Sequence, residues 1–292
     1  MLAQQLTNGL VVGATYALFA LGFTLMFGVL GVVNLTYGFY LSVGAFVALF
    51  STQAGLSIWL ALPLAAIVTG FVAIALDALL LTPLRRAKAP ELSSLMVTLG
   101  ATLFLYSLAN LLFSTDIRRF PMGVVDPSAY EVMSIRITMT QMLILGAVVA
   151  MVSLLLWLMN GTRLGLGLRA MAEKPDIAGL MGVNAGALVM LVSFICGSVA
   201  GVSGVLLGLN YNAIQPYMGE VMMLKGFAVI ILGGLGDIRG ALIGGLLIGM
   251  LETLTAGYIA SGWKDAVGFV ILVLTLWIRP SGLFGRIAIK RA

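Results

Sequence analysis

The fold class this sequence predicts is all-α: a polytopic membrane helical bundle with about 8 to 9 transmembrane helices, some broken or re-entrant. Three observations carry that reading. Of 292 residues, 61% are hydrophobic and only 9% charged, against roughly 25% charged in a soluble domain. No charged residue precedes Asp77, and a run that long must cross a bilayer more than once, because about 20 apolar residues make one helical span. Polar breaks then divide the remaining chain at intervals near that length.

Taken in order, spans are read at 9–31, 35–53 and 57–81, with Gly31 and Asn34 parting the first two and residues 53–57 the next. The opening run is too long for a cleavable signal peptide and lacks its basic leading region. Arg85, Arg86, Lys88 and Pro90 interrupt the hydrophobicity before a fourth span at 92–113. A mixed-charge loop over 114–138 leads to a fifth span at 139–159, and the polar segment 160–184 separates it from a sixth at 187–208. After the loop 210–220, the tail divides into 222–235, 240–258 and 264–279, the first and last short for full spans. The glycine-rich stretch 226–245 is a candidate re-entrant or broken element. Residues 1–292 thus form one transmembrane domain, with 160–184 as its cytoplasmic segment.

The formal net charge of +5 reads as topology rather than nucleic-acid affinity. Loops at 85–91, 160–176 and 236–239 and the tail from 279 hold eleven lysines and arginines; the opposite loops hold four, Arg118, Arg119, Arg136 and Lys264. The positive-inside rule then puts the N-terminus outside and the C-terminus in the cytoplasm. Lys225 falls near a boundary.

Composition also excludes chemistries. Histidine is absent and there is one cysteine, which removes His-based metal sites, Ser-His dyads and internal disulfides. No G-x-x-x-x-G-K-[ST] phosphate loop occurs, so the chain does not hydrolyse nucleotide by the P-loop mechanism. The spans carry no series of acidic residues of the kind proton relays use.

Glu252 stands out within the spans, well away from either end of its own. An ionisable residue in hydrocarbon must face the bundle or water, so it serves either a path or a structural hydrogen bond. Asp77 lies nearer the cytoplasmic end and can pair with Arg85 or Arg86. Asn34, Thr36, Tyr37 and Gly38 sit between glycines amid apolar sequence. They form either an interrupted helix lining a cavity or a short interfacial turn. Pairs spaced small-xxx-small, among them Gly197 with Gly201, Gly240 with Gly244 and Gly245 with Gly249, let helix backbones approach closely in lipid.

In the polar segment, residues 168–174 can form two helical turns that Pro175 halts. Asp176 is then an N-cap for a second short helix through Leu180 to Gly182. Leu168, Met171, Ile177, Leu180 and Met181 are expected to be exposed apolar residues interleaved with charges, which suits docking to a soluble partner or lying in the headgroup layer.

At this segment, Arg169-Ala-Met-Ala-Glu-Lys-Pro-Asp-Ile-Ala-Gly-Leu-Met-Gly-Val-Asn184, the chain resembles the permease subunits of branched-chain amino-acid ABC importers, the LivH type. Three further segments agree in order: Gly9 to Gly28 with Asn34-Leu-Thr-Tyr-Gly38, the glycine-rich Lys225 to Glu252, and Arg279-Pro-Ser-Gly-Leu-Phe-Gly285. Histidine often precedes the glycine of the family's polar break, where this chain has Tyr37. Similar permeases serve urea, short amides or aromatic acids, so the resemblance points to the class rather than the solute.

The resemblance implies a multi-pass subunit of the bacterial inner membrane that is not itself an enzyme and binds no cofactor, ATP being used by partner subunits. Its partners would be a second, homologous permease, two cytoplasmic ATPases and a periplasmic substrate-binding protein, within the lipid bilayer. Arg163, Arg169, Ala170, Glu173, Asp176, Ala178, Leu180 and Gly182 would couple to the ATPase. Asn34, Thr36, Tyr37, Gly38 and Glu252 would face the path. The alternative class is a secondary transporter driven by an ion gradient.

Overall fold

In lipid no water satisfies the backbone, so apolar segments of this length must close their hydrogen bonds internally as helices. The computed structural model, which describes residues 2–87, 89–121, 123–125, 128–132, 135–173, 175–182, 184–279 and 282–284, shows this outcome. The membrane helices are α1 (Leu2–Leu30), α2 (Tyr37–Gln53), α3 (Ile58–Leu76), α5 (Glu91–Phe113), α6 (Met139–Gly161), α9 (Ala185–Tyr211), α10 (Met218–Gly233), α11 (Ile238–Tyr258) and α12 (Lys264–Ile278). Short helices α4 (Thr82–Arg86), α7 (Arg163–Glu173) and α8 (Pro175–Leu180) lie at the ends. Seven helical stretches are long and apolar enough to span, α3 running on through α4 and α12 counted with the short turn over Ser261–Trp263 before it; α2 and α10, at 17 and 16 residues, fall short of the roughly 20 a full crossing needs.

The long first helix is the centre of the bundle. α1 is buried on every side from Val11 to Met26 except at Val12 and packs most extensively on α11, then on α9, α10 and α6. Glycine makes the α1–α11 contact possible: a Cβ at Gly245 or Gly249 would collide with the Ala17 or Gly13 backbone. The same holds elsewhere. Gly197 and Gly201 on α9 lie against Thr69 and its neighbours on α3, Gly240 against Gly233, and Gly244 against the Val229 carbonyl. All six glycines read from the sequence as packing positions therefore sit at helix contacts.

Within 226–245 the chain makes one tight turn, with Gly234 and Gly236 at positive φ, between two regular helices. The deeper interruption lies at 31–36. Gly31 turns the chain at φ +65°, and Tyr37 already packs on Phe19 and Phe23, so α2 begins roughly 10–15 Å back along α1. Phe39 meets Tyr106 and Phe46 meets Phe113; the equal offset means that α2 and α5 run in the same direction.

The loop after α5 holds an element the sequence reading missed. β1 (Ala129–Val132) and β2 (Ile135–Thr138) form an antiparallel hairpin, tied to the start of α1 by Gln4, which exchanges hydrogen bonds with the Arg136 backbone. Arg118 bridges to Ile214 on the same end. The opposite end gathers α4, α7, α8 and the α10–α11 turn, so the described basic loops separate as the charge count expects.

Candidate functional site

Four helices converge on one charged cluster. Lys225, midway along α10, places Nζ 2.7 Å from Glu252 Oε2 on α11 and 2.9 Å from Asp265 Oδ1 at the start of α12. The Tyr16 hydroxyl of α1 donates to Glu252 Oε2 at 2.8 Å and accepts from Lys225 Nζ at 2.9 Å. Local sequence explains the convergence. Gly226, beside the lysine, lets Phe19 of α1 approach α10, and Gly249, one turn before the glutamate, brings α11 onto Gly13. Lys225 is buried in the bundle: its side chain is 11% exposed and Glu252's is 4%, whereas Asp265 is 50% exposed. Buried charge is tolerated only when paired, and one lysine here serves two carboxylates. Glu252 Oε1 is buried without a hydrogen-bond partner among the described residues.

Two cavities flank the cluster at the end of the bundle that carries the N-terminus. One, of about 380 Å³, is lined by Lys225, Asp265, Lys264, Tyr211 and Gln215 on its polar side and by Leu207, Met218, Val221 and Met222 on its apolar side. The other, of about 320 Å³, reaches Glu252 with Gln5, Thr253 and Ser261. A small-molecule site characteristically joins an apolar wall to a few convergent polar groups, and the first cavity has that composition.

The polar break does not join this cluster. Asn34 Oδ1 accepts from the Thr36 amide at 3.0 Å and from Thr36 Oγ1 at 2.6 Å, and Thr36 Oγ1 lies 3.0 Å from the Tyr40 hydroxyl. Tyr37 donates to the Phe19 carbonyl at 2.9 Å, and Gly38 lies against Gly219. All four residues are buried. Their hydrogen bonds replace those a continuous helix would have made, which explains why polar side chains sit at this depth.

At the opposite end, α7 lies along the bundle, with Leu168 and Met171 buried against it, contrary to their expected exposure, while Arg163, Arg169, Ala170 and Glu173 are exposed. Thr162 Oγ1 caps it by accepting from Gly165 N. α8 buries Ala178 and leaves Leu180 and Met181 88% and 80% exposed, with Gly182 turning at φ +84°. One expectation is corrected: Pro175 opens the second helix rather than preceding it, because its fixed φ suits the first helical turn, so Asp176 lies within α8 and is not its N-cap. The Asp176 and Ile177 side chains and Lys174 lie outside the described residues. A cavity of about 490 Å³ behind α7 is lined by Arg169, Asp237, Arg239, Asn160 and Thr24.

Asp77 pairs with Arg85, not Arg86, at 2.6 Å. Eight residues at ~100° each would leave the two about 80° apart on a regular helix. The π-turn over Asp77–Leu81 absorbs one residue and restores a common face. Tyr16, Lys225 and Asp265 escaped the sequence reading as site residues. The available signal was a lysine inside the otherwise uncharged, apolar stretch from Val221 to Gly233.

Comparison with known proteins agrees along the whole chain. The family described as branched-chain amino acid transport system / permease component matches residues 5–276. The high-affinity branched-chain amino acid transport system permease protein LivH of Escherichia coli K12 is 32% identical, over 99% of this chain and 97% of its own. BraD of Pseudomonas aeruginosa, of the same description, is 32% identical over the same shares. Among solved structures, PsaBC from Streptococcus pneumoniae in complex with Fab aligns with a TM-score of 0.52 at 14% identity, over 97% of this chain and 93% of that one, a likeness of fold.

Proposed function

The chain belongs to the branched-chain amino-acid transport permease family, and from that premise we propose that it forms half of the translocation path of an ATP-driven importer for branched-chain or similar small amino acids. A second, homologous permease supplies the other half, two cytoplasmic ATPases bind at α7 and α8, and a periplasmic binding protein delivers solute to the end carrying the N-terminus. ATP is consumed by the partners and no cofactor is held by this chain. It is a multi-pass protein of the bacterial inner membrane, with the N-terminus outside and the C-terminus in the cytoplasm.

The observation that carries the coupling is the contrast within residues 160–184. α7 is fastened to the bundle through Leu168 and Met171, while Leu180 and Met181 stand free beside it. A lever needs both a fixed arm and a contact surface. Rigid-body movement of such a segment is how closure of one subunit is passed to another. Arg163, Arg169, Ala170, Glu173, Asp176 and Gly182 are assigned to that surface, buried Ala178 seats α8 beneath it, and Asn34, Thr36, Tyr37, Gly38 and Glu252 are assigned to the path side.

Replacing Leu180 and Met181 together by Asp tests this reading, since both are exposed and their loss spares the core. The double variant should insert normally yet lose ATPase co-purification and ATP-driven leucine uptake. Retention of both would overturn the proposal, as would leucine uptake by the chain alone in liposomes without ATP.

A further inference from the structure

Resting on the amino-acid reading above, we propose that Lys225 and Asp265 form a solute-exchange point. The carboxylate of an incoming zwitterion replaces Asp265 on Lys225 Nζ, the released Asp265 carboxylate receives the solute's ammonium group, and the apolar side chain lies against Leu207, Met218, Val221 and Met222. No covalent bond changes; two ion pairs replace one.

Four observations converge. First, the 380 Å³ cavity touches Lys225, Asp265 and that apolar wall together, while Glu252 lines the separate cavity beside it. Second, the two carboxylates on Lys225 are unequal. Glu252 is buried and further held by Tyr16, whereas Asp265 is half exposed and can leave without entering a dry environment. Third, Lys225 keeps Glu252 and Tyr16 throughout, so the buried ammonium is never left bare, the condition that makes broken buried pairs costly. Fourth, Asp265 lies in the first turn of α12, the least buried of the spanning stretches, directly after a short 3₁₀ turn over Ser261–Trp263. The exchange therefore needs only a local adjustment.

The recognised chemistry follows. A solute needs a carboxylate to take the lysine, an adjacent ammonium to satisfy the aspartate, and an uncharged side chain to lie on methionine and aliphatic surface. A neutral amide of the same shape offers no carboxylate, and its binding would leave the Lys225–Asp265 pair closed.

The test places a thiol in the cavity wall of the reconstituted, complete transporter. Val221→Cys is suited to this because Val221 is half exposed and the native Cys196 is fully buried. Saturating leucine should slow alkylation of Cys introduced at 221 about tenfold, roughly the effect of 1.4 kcal/mol of net occupancy, and 4-methylpentanamide should not slow it. Adding Lys225→Met should abolish the protection and Lys225→Arg should keep it. Should Lys225→Met fail to fold, Asp265→Asn gives an independent reading. With the competing carboxylate gone and no partner left for an ammonium, 4-methylpentanoate should protect in that variant though not in its parent. Equal protection by leucine and the amide, protection surviving Lys225→Met, or no gain for the acid in Asp265→Asn would overturn the exchange while wild-type leucine uptake upheld the importer reading. Failure of the unmodified transporter to take up leucine would remove that reading and this one with it.

Discussion

Lys225→Met and Glu252→Gln should destabilise the bundle unequally, although they break the same 2.7 Å ion pair. Without Lys225, the Glu252 carboxylate keeps only the Tyr16 hydroxyl in a site where its side chain is 4% exposed. An uncompensated buried charge of this kind costs about 3–5 kcal/mol. Without the Glu252 charge, Lys225 still holds Asp265 at 2.9 Å and Tyr16 at 2.9 Å, and the Gln amide oxygen can accept from it, so the loss is about 1–2 kcal/mol, less than a full charged hydrogen bond. The half-exposed Asp265 adds no more than a surface pair, about 0–1 kcal/mol. Combining both substitutions removes the orphaned charge as well as its partner, so the double variant should recover about 2 kcal/mol relative to Lys225→Met alone. Unfolding of the purified permease by a denaturing detergent in bicelles measures all three. Equal losses, or a milder effect of Lys225→Met, would refute the view that the lysine is the hub of the cluster.

Three further outcomes are expected. Gly249→Ala should lower stability in the same titration by about 1–3 kcal/mol through overpacking, since its Cβ would collide with Gly13. Gly100→Ala, with nothing within 4 Å of the added atom, should be neutral or gain about 0.5–1 kcal/mol. Arg85→Ala should cost about 2–3 kcal/mol by stranding buried Asp77, a figure reduced for the partly exposed guanidinium, while Arg86→Ala should stay within about 0.5 kcal/mol. Asn34→Ala should cost about 1–3 kcal/mol, because the Thr36 amide and hydroxyl both lose their Asn34 acceptor.

What the sequence made legible follows from what hydropathy measures. Nine apolar segments were readable because the bilayer's demand is compositional, and each became a helix within five residues of its expected ends, except that α1 starts seven residues early, at Leu2. Pairing was not readable. Lys225 and Asp265 are 40 positions apart in the chain, and nothing local says that α10, α11 and α12 fold so that one lysine meets two acids. The hairpin at 129–138 was legible in principle: Tyr130-Glu-Val and Ile135-Arg-Ile-Thr alternate apolar with polar, a signal masked by the loop's mixed charge. The start of α8 was misplaced for a definite reason. Proline stops a helix arriving from its N-terminal side yet opens the next one, and both effects operate at Pro175, since α7 ends at Glu173 and α8 begins at the proline itself.

The central position of α1 carries a consequence for biosynthesis. It is made before every other described helix, yet the hydrogen bond from Tyr16 to Glu252 closes over 236 residues. At about 5–20 residues per second that interval is roughly 12–47 s. During it α1 sits in lipid with its future contact surface uncovered, and an amphipathic helix would be ill suited to that wait. Its apolar run from Gly9 to Leu30, with only Thr15, Tyr16 and Thr24 as polar residues, keeps it inserted alone, and its glycines leave a groove for a helix not yet synthesised. Assembly therefore ends, rather than begins, at the middle of the molecule, and a ribosome that stalled before α11 would leave every earlier span in the membrane with no keystone.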